Sequence, residues 1–151
     1  MALYIAPIIA AIQGILAKYI PDLMATGNTG YPSFMEIGSE FTGIAPNPPQ
    51  AWVMPVRTSI DDEPNYLAEK HEVSVRFAVI ASDPEEIVAA AMVYMKAISD
   101  AMAMAQPSDW EAVVPTHTHI FEHDYGPLYE RAGVMMRFPE CHIEIEVAEV
   151  G

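Results

Sequence analysis

"HEVSVRFAVIASDPEEIVAAAMVYMKAISDAMAMA", residues 71–105, sets the two most strongly patterned elements of the chain side by side. In its first part Val73, Val75, Phe77 and Val79 alternate with Glu72, Ser74, Arg76 and Ala78. That period of two predicts a strand with one face in a core. The second part opens on Asp83 as N-cap, Pro84 at the first helical position and Glu86 three residues after the cap. An acidic start of this kind suits the positive end of a helix. Ile87, Ala91, Tyr94 or Met95, Ile98 and Met102 then recur at helical spacing, so the helix presents an apolar stripe to a sheet until Pro107 ends it. Methionines at 92, 95, 102 and 104 at this spacing are core filler rather than a soft binding groove.

Upstream, Pro7 fits the first turn of a helix, and Ile8, Ile9, Ile12, Leu16 and Tyr19 or Ile20 follow at near-helical spacing. A helix from about Ala6 to Tyr19 is expected, stopping before Pro21. This stretch lacks a basic leader, and Pro7, Gln13, Gly14 and Lys18 interrupt it, which favours a soluble amphipathic helix over a signal peptide or a membrane span. Residues 25–50 are dense in Gly and Pro and offer at most a short strand around Phe34–Ile37. A segment of that length is expected to act as an arm that contacts a neighbouring subunit. "AWVMPVRTS" (51–59) is a strand whose Pro55 asks for an edge or a bulge, and "IDDEPNYLAEK" (60–70) an acidic connection.

Two further strands are expected at Thr116–Tyr125 and Cys141–Val150. In the second, Cys141, Ile143, Ile145 and Val147 alternate with His142, Glu144, Glu146 and Ala148, which makes its polar face acidic. The expected fold is α+β: a small, mostly antiparallel sheet of about four strands, with an N-terminal helix and one long central helix packed on it. Residues 1–151 are expected to form a single domain with the Gly/Pro-rich arm at about 25–50.

Composition narrows the function. Seven Lys and Arg against 21 Asp and Glu give a formal charge of −14, which opposes a surface built to hold phosphate backbones or anionic lipid. DNA could still pass such a surface without sticking. Cys141 is the sole cysteine, so neither an intramolecular disulfide nor a multi-Cys zinc cluster is available, and intracellular assembly is the default.

In "THTHIFEHDYG" (116–126), His117, His119 and His123 fall within seven positions beside Glu122 and Asp124. Strand alternation puts the three imidazoles on one face and both acids on the other. The row is linear whereas a zinc site needs convergent ligands, so an exposed or subunit-facing strand is preferred. A small metal-dependent enzyme using these three histidines is the alternative from another class. No G-x-S-x-G, H-E-x-x-H or P-loop occurs, and His71–Glu72 lacks the second histidine of a metalloprotease. Cys141, on an apolar strand face, is a structural thiol. We therefore expect no catalytic residue, cofactor or metal.

The N-terminal "APIIAAIQGILAKYIPDL", the Pro-rich arm leading into "AWVMPVRTS", the strand and helix of 71–102 and the closing "CHIEIEVAEV" together give an order of elements. That order resembles the tail terminator, or tail completion, proteins of long-tailed bacteriophages. The resemblance covers nearly the whole chain and is one of pattern, without an invariant signature. It implies a non-enzymatic virion protein of the tail and neck, assembled in the host cytoplasm as a homohexameric ring. Such a ring caps the tail tube, fixes tail length and presents the head-attachment surface. Its implied partners are other copies of itself, the tail tube protein and a head-tail connector or head-completion protein, with no membrane. DNA would cross the channel without specific binding. Glu144, Glu146 and Glu72 are expected to line that channel, and His117, His119 and His123 to lie at a subunit interface. A head-completion or connector adaptor of the same neck is the alternative within the class. The histidines and the length of the 25–50 segment are not required by the family pattern.

Overall fold

A computed structural model describes residues 5–27, 30–39, 49–63, 66–110 and 113–149. Among these residues the chain forms helix α1 (Ile5–Thr26), strands β1 (Glu36–Gly38), β2 (Gln50–Glu63), β3 (Tyr66–Phe77) and β4 (Val79–Ala81), and helix α2 (Pro84–Met104). A 3-10 turn (Pro107–Trp110) follows, then β5 (His117–Asp124), β6 (Leu128–Arg131), β7 (Val134–Arg137) and β8 (Glu140–Glu149). A five-stranded sheet runs β1-β2-β3-β8-β5, and a three-stranded one runs β4-β7-β6. Among the described strands, only the β1–β2 pairing is parallel.

This corrects the expected sheet of about four mostly antiparallel strands with an N-terminal helix and one long central helix packed on it. The larger sheet is mixed, a second sheet exists, and α1, at 22 residues, is as substantial as α2, at 21. The first missed step is at Ala78. The apolar alternation runs unbroken from Val73 to Val79, yet β3 ends at Phe77, whose N–H donates to Pro139 O (3.0 Å), while Ala78 N–H donates to Gln50 O (3.0 Å). Beyond it β4 joins β7 in the other sheet. The second is a hairpin, β6–β7, closed by Ala132 (φ 54°) and Gly133 (φ 79°). Positive φ at both central residues is the two-residue turn whose twist matches a hairpin, and an Ala-Gly pair advertises it poorly. The third is the acidic connection expected at 60–70. Strand pairing continues through it as far as Glu63↔Tyr66, with positions 64 and 65 outside the described residues.

Helix α1 also runs past Pro21. The proline removes the N–H that would bond Ala17 O, but Ile20 and Met24, on either side of it, are buried and hold the last turns against the core. Both helices are long and apolar enough to cross a membrane by length and composition. In this fold, however, their apolar stripes (Ile8, Ile12, Ile15 and Leu16; Ile87, Tyr94 and Ile98) are packed into one core with Val73, Val75, Ile143 and Ile145. The α2 start is as expected in part: Asp83 is extended and its carboxylate accepts Glu85 N–H at 2.8 Å. Met95 and Met102 are core filler, whereas Met92 and Met104 are exposed. Pro55 does mark a bulge, at Pro55/Arg57 of β2. Of the 25–50 arm, positions 28–29 and 40–48 lie outside the described residues. Its Phe34 stacks on Tyr94 (centroids 5.0 Å) and meets Phe77 (5.8 Å), and Tyr94 O–H donates to Pro32 O (2.7 Å). Burial pushes the Tyr94 phenol up to about 12, with Tyr31 adding to the shift, so it stays a donor.

The 3-10 turn is tied to α1 by Asp109, which accepts from Lys18 Nζ (2.8 Å), Tyr19 O–H (2.6 Å) and Gln106 N–H (2.8 Å). These donors, Lys18 first, bring the carboxyl from its ordinary 3.8 to about 2. With a folded pKa below the unfolded one, this contact stabilises fully above about pH 4 and is lost as pH falls towards 2. Asp109→Asn is therefore expected to melt below wild type near neutrality, with the gap closing between about pH 4 and 2. An unchanged gap at pH 2 in paired thermal melts would contradict this.

Candidate functional site

Residues directly opposite one another in an antiparallel ladder share a face of the sheet. Along β8, Cys141, Ile143 and Ile145 face the helices and are fully buried. Glu140, His142, Glu144 and Glu146 face away from the helices, half-buried. Register then fills that outer face. β3 contributes Arg76 opposite Glu140, Ser74 opposite His142, Glu72 opposite Glu144 and Lys70 opposite Glu146. From β2 come Arg57 opposite Glu72 and Ser59 opposite Lys70. At one end of the face Trp52 of β2 forms a small separate core with Ala78 and Phe138, against which Met136 of the second sheet packs.

The three glutamates expected to line a channel thus lie together, on adjacent central strands of one face. Glu72 and Glu144 are directly paired, so like charges oppose each other there. Glu140, by contrast, is neutralised: its Oε1 meets Arg76 Nη2 at 3.0 Å and accepts Ser74 O–H at 2.8 Å.

On β5, His117 is opposite Glu146 and His119 opposite Glu144, so both histidines share the glutamates' face. His123 does not. The β5–β8 register shifts between Ile120 and Glu122, after which Glu122 pairs with His142, Asp124 with Glu140, and His123 with the core-facing Cys141. One extra residue in the strand reverses the alternation beyond it. The expected row of three imidazoles with both acids opposite is therefore corrected. His117, His119, Glu122 and Asp124 occupy one face, and His123 turns towards α2, 3.4 Å from Ser99 Oγ. The three-histidine ligand set is not assembled, and among the described residues no three His, Cys, Asp or Glu side chains are placed to hold a metal.

Phe121, at the bulge, lies on the outer face and continues a row of rings: His117–His119 (5.0 Å), His119–Phe121 (6.1 Å) and Phe121–His142 (6.0 Å). Sequence reasoning missed His142 as a member of this cluster. Its alternation with Cys141 was visible, but its neighbour across the ladder is a matter of register.

Away from this face, β3 carries a second unanticipated pair. Glu69 and His71 lie on the core side, fully buried, with His71 Nε2 3.4 Å from Glu69 Oε1 and Nδ1 2.9 Å from Thr58 Oγ1. Burial lowers the His71 pKa more than Glu69 raises it, so the ring is neutral at pH 7 and the contact is not an ion pair. Cys141 is a structural thiol, pushed up to about 12 by burial. A cavity of about 430 Å³ between α1 and the Phe34–Ile37 segment is lined by a single ionisable side chain, Glu36.

No protein-family model matches the sequence, and no curated protein matches it. Among solved structures, the chain is similar to one from the "virion of native gene transfer agent (GTA) particle". The match has a TM-score of 0.60 at 14% identity and covers 98% of this chain and 99% of that one. At that identity the likeness shows a common fold, shared end to end.

Proposed function

We propose that this chain is a structural protein of a phage-like virion and, within that class, a tail terminator: a homohexameric ring that caps the tail tube, fixes its length and offers the head-attachment surface. The observation that carries the reading is the fold match over 98% of this chain to a virion component. The order of elements that resembles tail terminators points the same way. So does the acidity of the outer face, which gathers Glu72, Glu144 and Glu146 on two adjacent strands. In this reading the outer face looks into the channel. Glu72, Glu144 and Glu146 repel the DNA backbone and let it pass without adhering. Because β5 is the edge of its sheet, His117, His119 and His123 all lie at the boundary with the next subunit, two on the channel side and one on the helix side. The partners are the tail tube and a head-side connector, with assembly in the host cytoplasm.

The test is addition of the purified chain to tail-tube subunits of the same particle under conditions of elongation. Tubes are expected to stop growing at saturating protein, with the chain at one end in electron micrographs. Continued growth would overturn the terminator reading in favour of a head-side adaptor of the neck.

A further inference from the structure

We propose that His117 and His119 form a bidentate site for one divalent transition-metal ion of the zinc class, closed by Glu144 or Glu146 from the adjacent strand. His117 Nε2 and His119 Nδ1 lie 3.1 Å apart on the exposed face of an edge strand. With metal–nitrogen bonds of 2.0–2.1 Å, two nitrogens sharing an ion are separated by about 2.9 Å at a right angle and about 3.3 Å at the tetrahedral angle. The observed separation lies between these limits. If each ring carries its proton on the far nitrogen, both facing nitrogens present lone pairs, which repel unless a cation or a proton sits between them.

The surroundings favour the cation. Glu146 is directly across the ladder from His117 and Glu144 from His119. Side chains so paired have Cβ atoms about 5 Å apart, within reach of a rotating glutamate. Lys70, the cation paired with Glu146, lies on the strand beyond it, away from the histidines. As they stand no three of these side chains converge, so a glutamate must rotate in to close the pair of imidazoles. With one or both carboxylates the set then supplies three or four protein ligands, enough for zinc, and an acidic chain concentrates divalent cations at its surface. The bulge that removes His123 leaves a set of two imidazoles and two carboxylates, in place of the linear row of three rings. The site stands on the isolated chain and does not depend on the virion reading.

The test is calorimetric titration of zinc into the untagged full-length chain, with circular dichroism confirming that each variant is folded. One zinc per chain is expected. His117→Ala and His119→Ala should each weaken binding by more than about tenfold, as loss of a direct ligand costs at least the lower end of the roughly 10- to 100-fold effect of losing an outer-shell partner. His123→Ala should leave it unchanged, and the Glu144→Gln/Glu146→Gln pair should weaken it severalfold. In wild-type protein, zinc should shift the ring resonances of His117 and His119 but not those of His123. No saturable binding, or equal losses in His123→Ala and His119→Ala, would overturn the site. The second result would mean adventitious surface chelation only.

Discussion

Gly126→Ala is expected to destabilise the fold by more than about 3 kcal/mol, read as a lower urea midpoint at unchanged slope. Gly126 joins β5 of the larger sheet to β6 of the smaller, with φ +70°, and its N–H donates to Asp124 Oδ1 at 2.8 Å. A Cβ there would stand 2.3 Å from Phe138 O and 2.9 Å from Phe138 C, both backbone atoms that no rotamer change can move. The left-handed backbone alone costs an L-residue about 1–2 kcal/mol. Gly133 is the internal control. Its φ is +79°, but nothing lies within 4 Å of an added Cβ, so Gly133→Ala should incur the conformational cost only. Equal losses in the two variants would show that the close approach of β5–β6 to Phe138 is not what holds the sheets together.

Phe77→Ala should cost about 3–5 kcal/mol, the range for removing a large aromatic from a core. Phe77 is fully buried and contacts Tyr94 of α2 (5.6 Å) as well as Phe34 (5.8 Å). It therefore joins sheet, helix and arm. A double-mutant cycle of Phe34→Ala with Phe77→Ala should give a coupling of about 0.5–1.5 kcal/mol, the value for aromatic pairs. Additive losses would mean that the arm is held without this ring cluster.

Much of the histidine and glutamate chemistry was legible as residue type and almost none of it as geometry. Alternation in β8 correctly separates Cys141, Ile143 and Ile145 from Glu144 and Glu146, because burial of one face is written into every second residue. The same rule misplaces His123, since a bulge adds one residue without altering the local pattern: Phe121 is as plausible in the outer row as in the inner one. It also leaves the buried Glu69 and His71 unseen. They occupy core-side positions that an apolar alternation would assign to Leu or Val, and only the packing around them shows that they are enclosed.

The sequence by itself determined the two helices, the strand character of residues 51–59, 71–77, 117–124 and 141–149, and the acidic balance. Each is a local or additive property, carried by periodicity, capping residues and charge. Tertiary structure alone decided the division into two sheets at Ala78, the Ala132–Gly133 hairpin, the continuation of α1 through Pro21 and the face to which each histidine belongs. Those outcomes depend on which carbonyl receives Ala78 N–H, what buries Ile20 and Met24, and how β5 registers against β8. Contacts between residues distant along the chain set all of them, and no window of neighbouring residues contains that information.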